Sequence, residues 1–219
     1  MIPTNYELEF EPLFNNFTFN GIEIITVNLQ RSADLIILDA AELKIKNCHV
    51  IQGTKIITAK PSLNEKDEKL TIKLAKKIKG KAKLCIEFTG ILNDRLLGFY
   101  KSQYKDKRGK TKYLATTQFE AADARRAFPC WDEPAVKATF DISLLVDKHL
   151  DAISNMPIIS KKTVDSKILY KFGRTPIMST YLLYLGVGEF EYLHGKLRNI
   201  KIRIVTTKGN KNKGKLSLD

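Results

Sequence analysis

The sequence predicts an all-β fold, an antiparallel β-sandwich or curved sheet with one short helix. Three observations predict it. Apolar residues recur at period two in short runs, and polar breaks separate those runs at intervals of about 8–12 residues. Only one stretch among the first 150 residues has helical character. Parallel βαβ units would need intervening helices, and the sequence offers none.

The elements follow in order. Tyr6–Phe14 (YELEFEPLF) alternates apolar and acidic residues. Phe17–Leu29 (FTFNGIEIITVNL) does the same, around an Asn20-Gly21 pair that reads as a turn. Asp34–Ala40, Leu43–Ile51 and Thr54–Ala59 are short strands divided by polar breaks. Lys69–Phe88 alternates lysine with apolar residues, which puts the lysines on the wet face of strands flanking a Gly80 turn. Gly98–Tyr104 and Lys112–Phe119 flank the loop KDKRGKT and form a hairpin with a basic tip. Ala121–Phe128 is the helical stretch, two turns at most, ended by Pro129. Strands resume at Ala138–Val146, Ala152–Met156, Ile168–Phe172, Tyr181–Leu193 and Asn199–Thr207. Residues 1–207 thus read as one β domain. Lys208–Asp219, rich in glycine and lysine, reads as a connector to a further domain.

Composition narrows the function. The chain has 219 residues, 43% of them hydrophobic, enough for a sizeable core. No apolar run approaches the roughly 20 residues of a membrane-spanning helix. The opening MIPTNYELEFEP lacks a basic region followed by an apolar one, so no secretory signal is expected and the reading is cytoplasmic. Cys48, Cys85 and Cys130 form no CxxC pair and read as reduced thiols. The net charge of +13 raises nucleic acid as a partner. The lysines are spread along strands, however, without the interleaved aromatics that stack on bases, so nucleic acid is not expected. His49, His149 and His194 stand far apart, which leaves no metal motif, and His194-Gly195 reads as a turn. No nucleophile elbow, P-loop or dinucleotide fingerprint occurs.

One segment departs from this pattern. Thr116–Phe140 (TTQFEAADARRAFPCWDEPAVKATF) is polar, acidic and punctuated by Pro129 and Pro134, and it holds Trp131, the chain's single tryptophan. Glu120 lies where a strand gives way to the short helix. A carboxylate at such a corner either caps the helix or projects into a cleft, where it attracts a cation such as an ammonium group. Asp123, Arg125 and Arg126 read as ion-pairing residues that pin the segment.

This segment closely resembles the N-terminal domain of the zinc aminopeptidases that carry HExxH, the family of aminopeptidase N, puromycin-sensitive aminopeptidase and the archaeal tricorn-interacting aminopeptidases. GILNDRLLGFYKSQY, MSTYLLYLGVGEFEYL and the opening PTNYELEFEPLFNNFTFNG resemble it too, so the resemblance covers essentially the whole chain. With the lysine-rich composition, the archaeal tricorn-interacting type, or a leucyl-type thermophile relative, looks closest. The resemblance implies a saddle-like, mostly antiparallel β-sandwich followed by a separate catalytic domain that holds the zinc. It implies that Gln118 lines the pocket for the substrate's first side chain and that Glu120 binds the α-ammonium group of peptide N-termini. It also implies a cis bond at Glu120-Ala121. The chain alone is then expected to bind no metal and to be inactive, with the absent catalytic domain and a tricorn-like protease as partners. The rival expectation is a non-catalytic binding or scaffold relative.

Overall fold

The computed structural model describes residues 2–218. Fourteen strands form three sheets. They are β1 (Ile2–Leu13), β2 (Thr18–Asp39), β3 (Lys44–Gln52), β4 (Lys55–Asn64), β5 (Lys69–Ile91), β6 (Gly98–Lys105) and β7 (Thr111–Gln118). After the polar segment come β8 (Thr139–Asp147), β9 (Asp151–Ser154), β10 (Ile158–Val164), β11 (Lys167–Phe172), β12 (Leu185–Gly188), β13 (Phe190–Leu197) and β14 (Ile200–Thr207). Eight strands make one sheet in the order β10-β11-β8-β1-β2-β5-β3-β4, four make a second in the order β6-β7-β12-β9, and β13-β14 is a separate ribbon.

The core lies between the two larger sheets. The large sheet contributes Tyr6, Leu8, Phe10, Phe19, Ile25, Ile86, Phe88 and Phe140, and the small one Phe99, Ala115, Leu185 and Val187. The faces meet through rings: Phe99 stands 5.8 Å from Phe10 and 5.2 Å from Phe19, centroid to centroid. Edge-on and tilted contacts of this kind add to the burial of large apolar area that holds the layers together.

The all-β architecture agrees with the sequence reading, and several details differ. The stretch Ala121–Phe128 holds only a single 3-10 turn, Ala124–Arg126. Asn20-Gly21 is not a turn. The chain reverses at residues 14–17, and Gly21 lies inside β2 opposite Phe10 and Phe88. A Cβ on Gly21 would stand 2.3 Å from the Phe88 ring, so the glycine serves close packing. Gly80 does not end a strand either. It sits within β5 at φ +84° opposite Leu29, where the pairing between β2 and β5 shifts register and the sheet bends. His194 pairs with Arg203 in mid-ribbon rather than closing a strand. One pairing is parallel: β1 runs alongside β8, from Asn5 with Thr139 to Phe10 with Leu144. Residues 211–214, in the stretch read as a connector, form a 3-10 turn folded back near the ribbon, where Glu191 accepts hydrogen bonds from the Gly209 and Lys211 amides.

Candidate functional site

The polar segment is built onto the end of β7. That strand finishes at Gln118, whose backbone pairs with Gly98. Strand alternation sorts the residues around it: Thr117 and Phe119 enter the core, while Gln118 and Glu120 face solvent. The peptide bond Glu120-Ala121 is cis. The two residues singled out in the sequence therefore stand on the same side, two positions apart, with a buried phenylalanine anchoring the backbone between them.

The rest of the segment is clamped from below. Asp39 at the end of β2 and Cys130 exchange backbone hydrogen bonds of 2.7 and 3.0 Å. The Ala41 amide donates to the Arg125 carbonyl at 3.0 Å. Phe128 packs edge-on against Tyr6, Phe10 and Phe119. The charges form a network over this base. Arg125 reaches Asp132 at 3.0 Å, Glu68 at 3.2 Å and Asp39 at 3.6 Å. Arg126 reaches Glu42 at 2.7 Å, Asp123 at 2.8 Å and Glu68 at 2.9 Å. Asp132 is buried, and it also accepts a 2.8 Å hydrogen bond from Thr180 and donates its amide to Asp39 at 3.0 Å. Burial opposes the Arg125 charge, yet the Asp132, Asp39 and Glu68 carboxylates prevail and raise its pKa above the usual arginine value. Asp123, Arg125 and Arg126 thus act as pins, as their pattern suggested.

Glu120 stands outside this network. Among the described residues no cation lies within ion-pair distance of it, and the Gln118 amide has no side-chain partner. A carboxylate left unneutralised beside Asp123, Arg125, Arg126 and Asp132, which are all paired, is available to an incoming cation. The partners Asp39, Glu42, Glu68 and Thr180 were not visible in the sequence, because they come from distant segments. Among the described residues no three His, Cys, Asp or Glu side chains converge as a metal-binding group, so no zinc step is assigned to them. No helix among them is long and apolar enough to cross a membrane.

Residues 2–182 match the Peptidase M1 N-terminal domain. The chain belongs to this family. The match contains the clamp, Gln118 and Glu120, and it ends just before β12. The M1 domain is 42% identical over 223 residues to a puromycin-sensitive aminopeptidase of Caenorhabditis elegans, which covers 99% of the chain and 24% of that protein. It is 39% identical over 220 residues to aminopeptidase M1-D of Oryza sativa subsp. japonica, covering 99% of the chain and 25% of the relative. It is 38% identical over 226 residues to the mitochondrial aminopeptidase 2 of Saccharomyces cerevisiae, covering 100% of the chain and 23% of the relative. The M1 domain therefore spans about a quarter of the length of the curated relatives it matches.

Proposed function

We propose that this chain is the N-terminal, substrate-anchoring domain of a zinc-dependent aminopeptidase that acts in the cytoplasm. Glu120 takes the α-ammonium group of a peptide N-terminus, and Gln118 lines the pocket for the first side chain. An exopeptidase must recognise a terminal charge, and a fixed carboxylate sets the first peptide bond at a defined distance from the reacting centre. The observation that carries the reading is the isolation of Glu120: it is exposed and unpaired beside a network in which Asp123, Arg125 and Arg126 are all satisfied. Aminopeptidase relatives aligned over nearly the whole chain support the reaction class. Zinc and the groups that work with it lie, on this reading, in a following catalytic domain. The domain alone then turns over no peptide. A tricorn-like protease is the partner that would supply its peptides.

The test is Glu120→Ala in the polypeptide that carries this domain, assayed on substrates with a free amino terminus. A charge-assisted hydrogen bond accounts for roughly 10- to 100-fold in kcat/KM. Loss on that scale with an unchanged melting temperature is expected. Wild-type efficiency in the variant overturns the anchor role and favours a binding or scaffold protein.

A further inference from the structure

The outward face of the small sheet does not stop at Gln118. Alternation places Thr116 on the same face, two residues and therefore about 7 Å back along β7. Its neighbours Ala115 and Thr117 are buried. Thr116 lies directly between Tyr100 of β6 and Gly186 of β12. Phe99 on one side and Leu185 and Val187 on the other point into the core, so Tyr100 and position 186 face outward as well.

Gly186 leaves room that Tyr184 fills. A Cβ at Gly186 would stand 2.8 Å from the Tyr184 hydroxyl and 3.2 Å from its ring, so the ring lies across the glycine. The Thr116 hydroxyl donates to the Tyr184 oxygen at 3.2 Å. The backbone of Tyr184 is held from both sides. Its amide donates to Asn155 at 2.8 Å, and its carbonyl accepts from Ser154 at 2.8 Å. The Tyr100 hydroxyl has no hydrogen-bond partner among the described residues, and burial followed by the nearby Tyr184 raises its pKa. Two tyrosine rings and a threonine thus form a platform beyond Gln118, with hydroxyl groups free to bond outward.

We propose that Tyr100, Thr116 and Tyr184 form the floor of the first side-chain pocket, and that they favour substrates whose first residue is long and ends in a hydrogen-bonding group, such as tyrosine or arginine. The proposal rests on the anchor role of Glu120. Thr116 lies about 7 Å further along the strand from the anchor than Gln118, so on this reading only a long first side chain approaches the hydroxyls. These are specificity residues, and their removal discriminates between substrates rather than slowing all of them.

The test measures kcat/KM for alanyl, leucyl, tyrosyl and arginyl arylamides with the polypeptide that carries this domain. Tyr184→Phe and Tyr100→Phe should lower the tyrosyl and arginyl values roughly tenfold, the scale of one lost hydrogen bond, and move the alanyl value less than twofold. Gly186→Ala should give the same pattern, because the added methyl displaces the ring without removing a hydroxyl. Glu120→Ala, run in parallel, should lower all four. If Glu120→Ala does so and the tyrosine variants change all substrates equally or none, the platform is overturned and the anchor stands. If Glu120→Ala changes nothing, the anchor fails and the platform falls with it.

Discussion

Glu23 occupies the inner row of the large sheet between Leu8 and Ile86, fully buried, and neither carboxyl oxygen has a hydrogen-bond partner. Burial alone pushes its pKa well above the usual carboxylate value of 4.5, so the folded protein holds it protonated. The direction of the pH effect follows. Above pH 4.5 the unfolded chain releases this proton while the folded chain keeps it, so the contribution is fully present below that pH and is lost as pH rises towards the folded value. The slope is about 1.4 kcal/mol per pH unit within the window. Glu23→Leu should raise the melting temperature at pH 7 to 8 and flatten its decline from pH 5 upward. Thermal unfolding across that range checks this, and an unchanged slope rejects it. In IEIIT two isoleucines flank Glu23, yet Ile22 and Ile24 lie on the outer face. Phe19, Ile25, Val27 and Leu29 share the parity of Glu23 and are all buried, and a strand cannot turn one residue out without turning out the rest. Glu120 was legible for the opposite reason. Its exposure depends on a local corner, and the corner is written in adjacent residues.

Two elements carry stability that the sequence shows only in part. Arg125 is the partner of two buried carboxylates, Asp132 and Asp39. Arg125→Ala leaves the buried Asp132 without a counter-ion while Asp39 keeps Lys69, and a loss of about 3–5 kcal/mol is expected in denaturant unfolding. A loss below 1 kcal/mol would show that the clamp is held by its backbone bonds instead. The close approach at Gly21 makes a second case. Gly21→Ala drives a methyl into the Phe88 ring at 2.3 Å, and overpacking of this kind costs about 1–3 kcal/mol. Phe88→Leu in the same chain should recover part of it, so the two effects should not add. Additive losses would place the strain elsewhere. Asn20-Gly21 has the residues of a tight hairpin, and only the ring across the sheet shows why the glycine is there. The hairpin of β6 and β7 was fully legible, because its loop and both strands are contiguous.

At the scale of the whole molecule, the layered β architecture followed from period-two alternation, but its closure did not. Pairing of β1 with β8 joins residues far apart in sequence, and no local pattern announces it. The surface also carries apolar residues that the core does not use. Leu96 precedes β6, and Ile177 and Leu182 lie just before β12; their exposures are 58%, 70% and 49%. The 219-residue chain by itself should self-associate through these exposed apolar side chains as its concentration rises. Sedimentation velocity should show the growth, and replacing all three by serine should abolish it. A wild-type chain that stays monomeric at high concentration counts against the prediction.

The parallel partner of β1 has a consequence for how the protein is made. β1 leaves the ribosome before β8, finds β2 within a short hairpin, and then presents its second edge unpaired. Residues 139–144, which cover that edge, are translated more than a hundred residues later. At about 5–20 residues per second, the wait is on the order of ten seconds. Throughout it the nascent chain offers an open, apolar-backed edge to other chains, a recognised hazard. The acidic side chains on the outer face of that strand, Glu7, Glu9 and Glu11, put like charges on every exposed copy. Like charges at such an edge oppose pairing between neighbouring nascent chains before β8 arrives.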